Sequence, residues 1–194
     1  MARISALARS ILDDAEPVDS AERQAINDAL RRGSTEPVVH AAALWLAFDV
    51  GADLRLSRSH ARSWIPGVHE LIHSGHLDVA AYAVPRLKAA FPQIRYLENM
   101  DFVFRHLPSA VGNGREPFVD DRSSDVQIVR KPGADTVLIA FCGGSHQLGM
   151  PNNLLDRWFA QLSSHLVYLR DRQKVGYTGG IAALALTWRR RSRA

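Results

Sequence analysis

Residues 136–180 read TVLIAFCGGSHQLGMPNNLLDRWFAQLSSHLVYLRDRQKVGYTGG, and this stretch decides the fold. Thr136 to Phe141 is an apolar, β-branched run, the pattern of a buried strand. It ends in Cys142-Gly143-Gly144. Asn153 to Leu162 places Leu154, Leu155, Trp158, Phe159 and Leu162 on one helical face, with Asn152 or Asn153 as the cap. Leu166 to Leu169 is a second apolar strand. A strand, a helix and a strand in succession predict a right-handed parallel crossover. Upstream, Val126 to Val129 is a further strand candidate. Lys131-Pro132-Gly133-Ala134-Asp135 is a turn by its Pro-Gly, and the short connection predicts an antiparallel hairpin with Thr136–Phe141.

The residues before this unit read as helices. Ile4, Leu7, Ala8, Ile11 and Leu12 recur at helical spacing. Asp19 and Glu22 form a capping-box signal for a helix ending at Gly33. Ser34 and Thr35 are the start signals of a helix through Val50, stopped by Gly51. Ser59–His73, Leu77–Phe91 and Ile94–Leu107 follow, with Pro66 and Pro85 inside the first two. The line HSGHLDVAAYAVPRLKAAFPQIRYLENMDFVFRHLP (73–108) resembles tetratricopeptide repeats, through Gly75 in the turn, Ala80 and Ala83 at small packing positions, and Pro92 after the second helix. Pro85 departs from that pattern. The resemblance implies helical hairpins with a protein-binding groove.

The expected fold class is therefore mixed α+β. A helical, repeat-like half spans 1–108. The glycine-, serine- and charge-rich 109–125 reads as a linker. A small, partial α/β unit of three to four strands spans 126–187, and 188–194 is a basic tail.

The 46% hydrophobic content supplies a core, and 23% charged residues is ordinary for a soluble chain. The formal net charge is +4, but Arg189, Arg190, Arg191 and Arg193 account for it, and the body is neutral. That distribution argues against nucleic-acid binding. The single Cys142 excludes an intrachain disulfide and fits a reducing cytoplasm. No signal peptide is legible at the N-terminus, and Ile181 to Leu186 is too short to span a bilayer.

Two blocks, FCGG (141–144) and LVYLRDRQKVGYTGG (166–180), resemble the front of an α/β-hydrolase domain. There an apolar strand ends in a His-Gly-Gly turn whose backbone helps form the oxyanion hole. Cys142 stands in the histidine's place here. Asp171, Arg172, Gly176 and Gly179 match the second block loosely. The resemblance implies ester or acyl hydrolysis, with Gly143, Gly144 and Ser145 as the oxyanion loop and Ser145, His146 and Asp171 as candidate catalytic residues. No G-x-S-x-G nucleophile motif occurs in the 194 residues. The expectation is a shortened hydrolase-like chain, inactive alone. Plainer readings stand beside these: a polar loop for Ser145 and His146, an inert buried thiol for Cys142, and an ion pair between Asp171 and Arg170 or Arg172.

The Walker and G-x-G-x-x-G patterns are absent, so no nucleotide cofactor is implied. His69-Glu70-Leu71-Ile72-His73 matches the H-E-x-x-H zinc pattern, with His76 beyond the turn as a third ligand. Zinc hydrolysis on His69 and His73 is thus an alternative, against a reading of the pair as ordinary helix-face histidines. A non-catalytic interaction protein using the helical hairpins is another. An exposed sheet edge near Leu166–Leu169 predicts pairing with a second copy.

Overall fold

The structure is a computed structural model and describes residues 2–13, 17–51, 61–109, 115–116, 118–121, 123–143 and 150–171. It is α+β, with a helical N-terminal half followed by a small mixed sheet. The chain divides into two compact units, Met1–His106 and Leu107–Ala194.

The first unit contains α1 (Ala2–Asp13), α2 (Ser20–Arg31), α3 (Pro37–Asp49), α4 (Ala61–His73), α5 (Leu77–Ala90) and α6 (Arg95–Arg105). The capping box forms: the Asp19 carboxylate accepts from the Glu22 amide at 2.8 Å, and the Glu22 carboxylate accepts from the Asp19 amide at 3.0 Å. Two orphan donors are thereby satisfied. α3 begins at Pro37 after Glu36, not on a Ser34 or Thr35 cap. Proline suits the first helical position because its missing N–H has no helical partner there.

α3 is the unit's centre. Val39, Ala41, Ala42 and Leu44 are wholly buried, and α1, α2, α4 and α5 all pack against it. Small side chains allow that crowding. α4 approaches closely, since a Cβ at Gly67 would lie 2.7 Å from His40 Cβ and 3.2 Å from the Ala41 amide nitrogen. The Pro66 and Pro85 rings face solvent, and both helices continue through them despite the lost backbone bond. Gly75, at φ 84°, makes the α4–α5 turn. α5 and α6 are joined by Asp101, which accepts from Lys88 Nζ at 2.7 Å and from the Arg105 guanidinium at 2.6 Å.

The second unit has β1 (Val126–Val129), β2 (Thr136–Cys142), α7 (Asn152–Phe159) and β3 (Ser164–Arg170). The sheet order is β1-β3-β2. β2 and β3 are parallel through the α7 crossover, with Ile139 opposite Val167. β1 is antiparallel to β3, with Ile128 opposite the same Val167.

Two expectations are corrected. β1 and β2 are not a hairpin, because β3 lies between them. The turn crosses the start of β3 and is tied to His165: the Lys131 amide donates to Nδ1 at 3.2 Å, and Nε2–H donates to the Ala134 carbonyl at 3.1 Å. β3 is consequently the central strand, so Leu166–Leu169 is not an exposed edge. The outer strands are β1 and β2.

Val129, Ala140, Cys142, Leu166 and Tyr168 form the core on one sheet face, with Phe118, Leu138 and Phe159 packed on it. On the opposite face Ile128, Val137, Ile139 and Phe141 are each at least half exposed. Within the segment read as a linker, Phe118 packs on this core.

Gly67→Ala is expected to destabilise the protein by about 1–3 kcal/mol in urea unfolding, since the new methyl meets Cβ and backbone atoms rather than a movable side-chain end. A second expectation concerns pH. The hydrogen bond from Lys88, with the charge of Arg105 nearby, holds the Asp101 carboxyl below its ordinary value of 3.8. A lowered folded value stabilises the protein above 3.8, and that contribution is lost as pH falls through the folded value. The stability difference between wild type and Asp101→Asn should therefore narrow below pH 3.8.

Candidate functional site

Parallel pairing brings the carboxyl ends of β2 and β3 to the same end of the sheet, where open α/β folds hold their ligands. Cys142 ends β2 and Gly143 follows it, and Arg170 ends β3 and Asp171 follows it. Asn152 opens α7 beside them. It is the first helical residue, not the cap. The cap position belongs to Pro151, and the wholly buried Asn152 side chain turns inward.

Cys142, Asn152 and Arg170 are joined in one hydrogen-bonded chain through Asp120. The Cys142 thiol donates to Asn152 Oδ1 at 3.8 Å, and Asn152 Nδ2 donates to Asp120 Oδ1 at 3.4 Å. Asp120 also receives the Arg170 guanidinium in an ion pair whose side chains are 2% and 0% exposed. Arg170 donates further to Gln127 Oε1 at 3.1 Å and to the Ser124 carbonyl at 3.4 Å. Deep burial of a charge is tolerated only when a counter-charge and further acceptors meet it. A second buried pair lies beneath α7, where Arg115 grips Asp156 with both terminal nitrogens. Tyr168 donates to Asp156 Oδ1 at 3.1 Å. Burial, and then the Asp156 charge, push the Tyr168 phenol well above its ordinary value.

The sequence candidates fare differently. Gly144, Ser145 and His146 lie outside the described residues. Gly143 is exposed at the strand end, and Asp171 is buried there. Arg170 is held by Asp120. Burial pushes the Cys142 thiol up, and the side chain has no exposed surface. Since the thiolate is the nucleophile, the environment suits an inert cysteine.

His69 and His73 do share a helix face, with ring centroids 6.3 Å apart, and His69 stacks on Tyr96 at 5.0 Å. The other members of the zinc pattern are committed elsewhere. Glu70 pairs with Arg9 at 3.2 Å, and His76 Nε2–H donates to the Leu12 carbonyl at 2.7 Å. Among the described residues no group of three His, Cys, Asp or Glu side chains is placed to hold a metal.

The helical unit carries a groove of about 760 Å³ between α1 and α2. Ile4 and Leu7 line it from α1, and Ala21, Ala25 and Ala29 from α2. Arg3 and Arg32 stand exposed at its margin, and among the described residues neither makes an ion pair. Glu22 also lines it, but its carboxylate is engaged in the capping box.

No protein-family model, curated protein or solved structure matches the chain. Among the described residues no helix is long and apolar enough to cross a membrane.

Sequence reasoning missed Asp120, Arg115, Asp156 and Tyr168 as a polar framework. One signal was legible: Leu166, Tyr168 and Arg170 alternate along β3, so an inward Tyr168 implies an inward, partnered Arg170. Asp120→Ala is expected to cost about 3–5 kcal/mol, because it strands a buried guanidinium. The double variant Asp120→Leu/Arg170→Met should lose clearly less than the sum of its single substitutions in denaturant unfolding.

Proposed function

We propose that this protein is a non-catalytic interaction module. The helical unit presents the binding surface, and the α/β unit is a fixed scaffold. The α1–α2 groove is the observation that carries the reading: it joins an apolar floor to two guanidinium groups without ion-pair partners among the described residues. The strand ends offer the contrast. Their charged and polar groups, Asp120, Arg170, Asn152 and Cys142, are buried and bonded to one another. Such a network fixes a core rather than presenting a reactive group to substrate. A lone buried thiol suits a reducing cytoplasm.

The α/β-hydrolase-like reading, with ester or acyl hydrolysis as its reaction, is favoured by one observation: Gly143 lies at the carboxyl end of β2, where the parallel crossover to β3 begins. Its oxyanion loop would be Gly143 to Ser145. The chain carries no G-x-S-x-G, and a hydrolase of that type without its nucleophile keeps only the binding and oxyanion contributions to the rate.

Hydrolysis of p-nitrophenyl acetate and butyrate separates the two. The interaction module is expected to release p-nitrophenol no faster than buffer, with Ser145→Ala unchanged. Turnover that disappears in Ser145→Ala would replace it with the hydrolase reading.

A further inference from the structure

We infer that the α1–α2 groove receives an acidic amphipathic helix from a partner protein, its apolar side chains on the alanine face of α2 and its carboxylates on Arg3 and Arg32. The inference rests on the interaction reading above and adds the chemistry of the partner.

The floor sets the shape. Ala21, Ala25 and Ala29 follow one another at four-residue spacing, so they share one face of α2. At 1.5 Å per residue the row extends about 12 Å, a little over two helical turns. Methyl side chains make a shallow ridge over which another helix backbone can approach closely. Ile4 and Leu7, both half-buried, form the facing wall. Within α1 and α2 the mid-helix backbone groups are satisfied internally, so the groove's walls offer chiefly side chains. A helix, which satisfies its backbone internally, is the element that fits such a groove.

The margin sets the charge. Arg3 and Arg32 are exposed beside the groove. Among the described residues one carboxylate, Glu22, lines it too and accepts from the Asp19 amide; against two guanidinium groups it leaves the rim net positive. Two fixed cations at the rim attract carboxylates and repel a basic partner, which gives both orientation and selectivity. Two cations over an apolar floor are too few to track a phosphate backbone, which favours a protein partner over nucleic acid.

The test uses the full chain as bait for a displayed library of random peptides about 16 residues long, enough for four turns. Enriched peptides are expected to combine apolar residues at i, i+3, i+4 and i+7 with a net negative charge. Their binding should weaken about tenfold in Arg3→Glu/Arg32→Glu, and should return when their own Glu or Asp residues are changed to Lys. Both arginines are exposed, so the double variant is expected to keep the wild-type circular dichroism and melting curve. Neutral or basic winners that bind wild type but not Ala25→Trp would overturn the acidic partner while leaving the groove as an interaction site. Winners indifferent to Ala25→Trp, or no enrichment, would overturn both.

Discussion

Arg170 brings a full positive charge to the core side of the central strand, directly after Leu166 and Tyr168 in the inward register. A guanidinium there is compatible with folding only if acceptors meet it from several directions. Asp120, Gln127 and the Ser124 carbonyl do so. Much of the second unit follows from that demand. Asp120 must come in from a segment without regular structure, which carries Phe118 onto Tyr168 at a ring distance of 4.7 Å. Asn152 is drawn inward to reach Asp120, so α7 gives up an asparagine cap and starts behind Pro151. Cys142 then finds its acceptor in the same asparagine.

Local chemistry was legible in the sequence where a few neighbouring residues decide the outcome. The Asp19–Glu22 box, the turn glycines at 33, 51 and 75, and the apolar runs of β2 and β3 are of this kind. The parallel crossover followed from element order and handedness. The position of β1 did not, because a Pro-Gly turn suits a hairpin and the crossing of β3 depends on His165, 31 residues from Ala134. The ion pairs of the segment before β1 were hidden for a related reason. Glycine, serine and charge describe a linker by composition, yet Arg115 and Asp120 are there as counter-charges for Asp156 and Arg170. Long-range ion pairs leave no periodicity to read.

In the helical unit the governing constraint is crowding around α3. Its alanines and Gly67 of α4 let neighbours approach until a single methyl would collide with His40. The helices that reach α3 do so along part of their length. α1 buries Ala8, Ile11 and Leu12, while its first turns leave Ile4 and Leu7 half-covered. α2 buries Ile26 and Ala29, while Ala21 stays open. The α1–α2 groove is thus the apolar remainder of two amphipathic helices whose other ends are anchored on the same partner.

The two units therefore distribute polar chemistry in opposite ways, and this bears directly on function. At the strand ends, the terminal nitrogens of Arg170 are taken up by Asp120, Gln127 and the Ser124 carbonyl, inside a buried pair. At the groove, Arg3 and Arg32 remain solvated beside apolar side chains, so a ligand that brings carboxylates and apolar surface together displaces only water. Binding is easiest where the protein's own contacts are least complete. The sheet carries the glycine pair after β2, and the helices carry the exposed apolar groove.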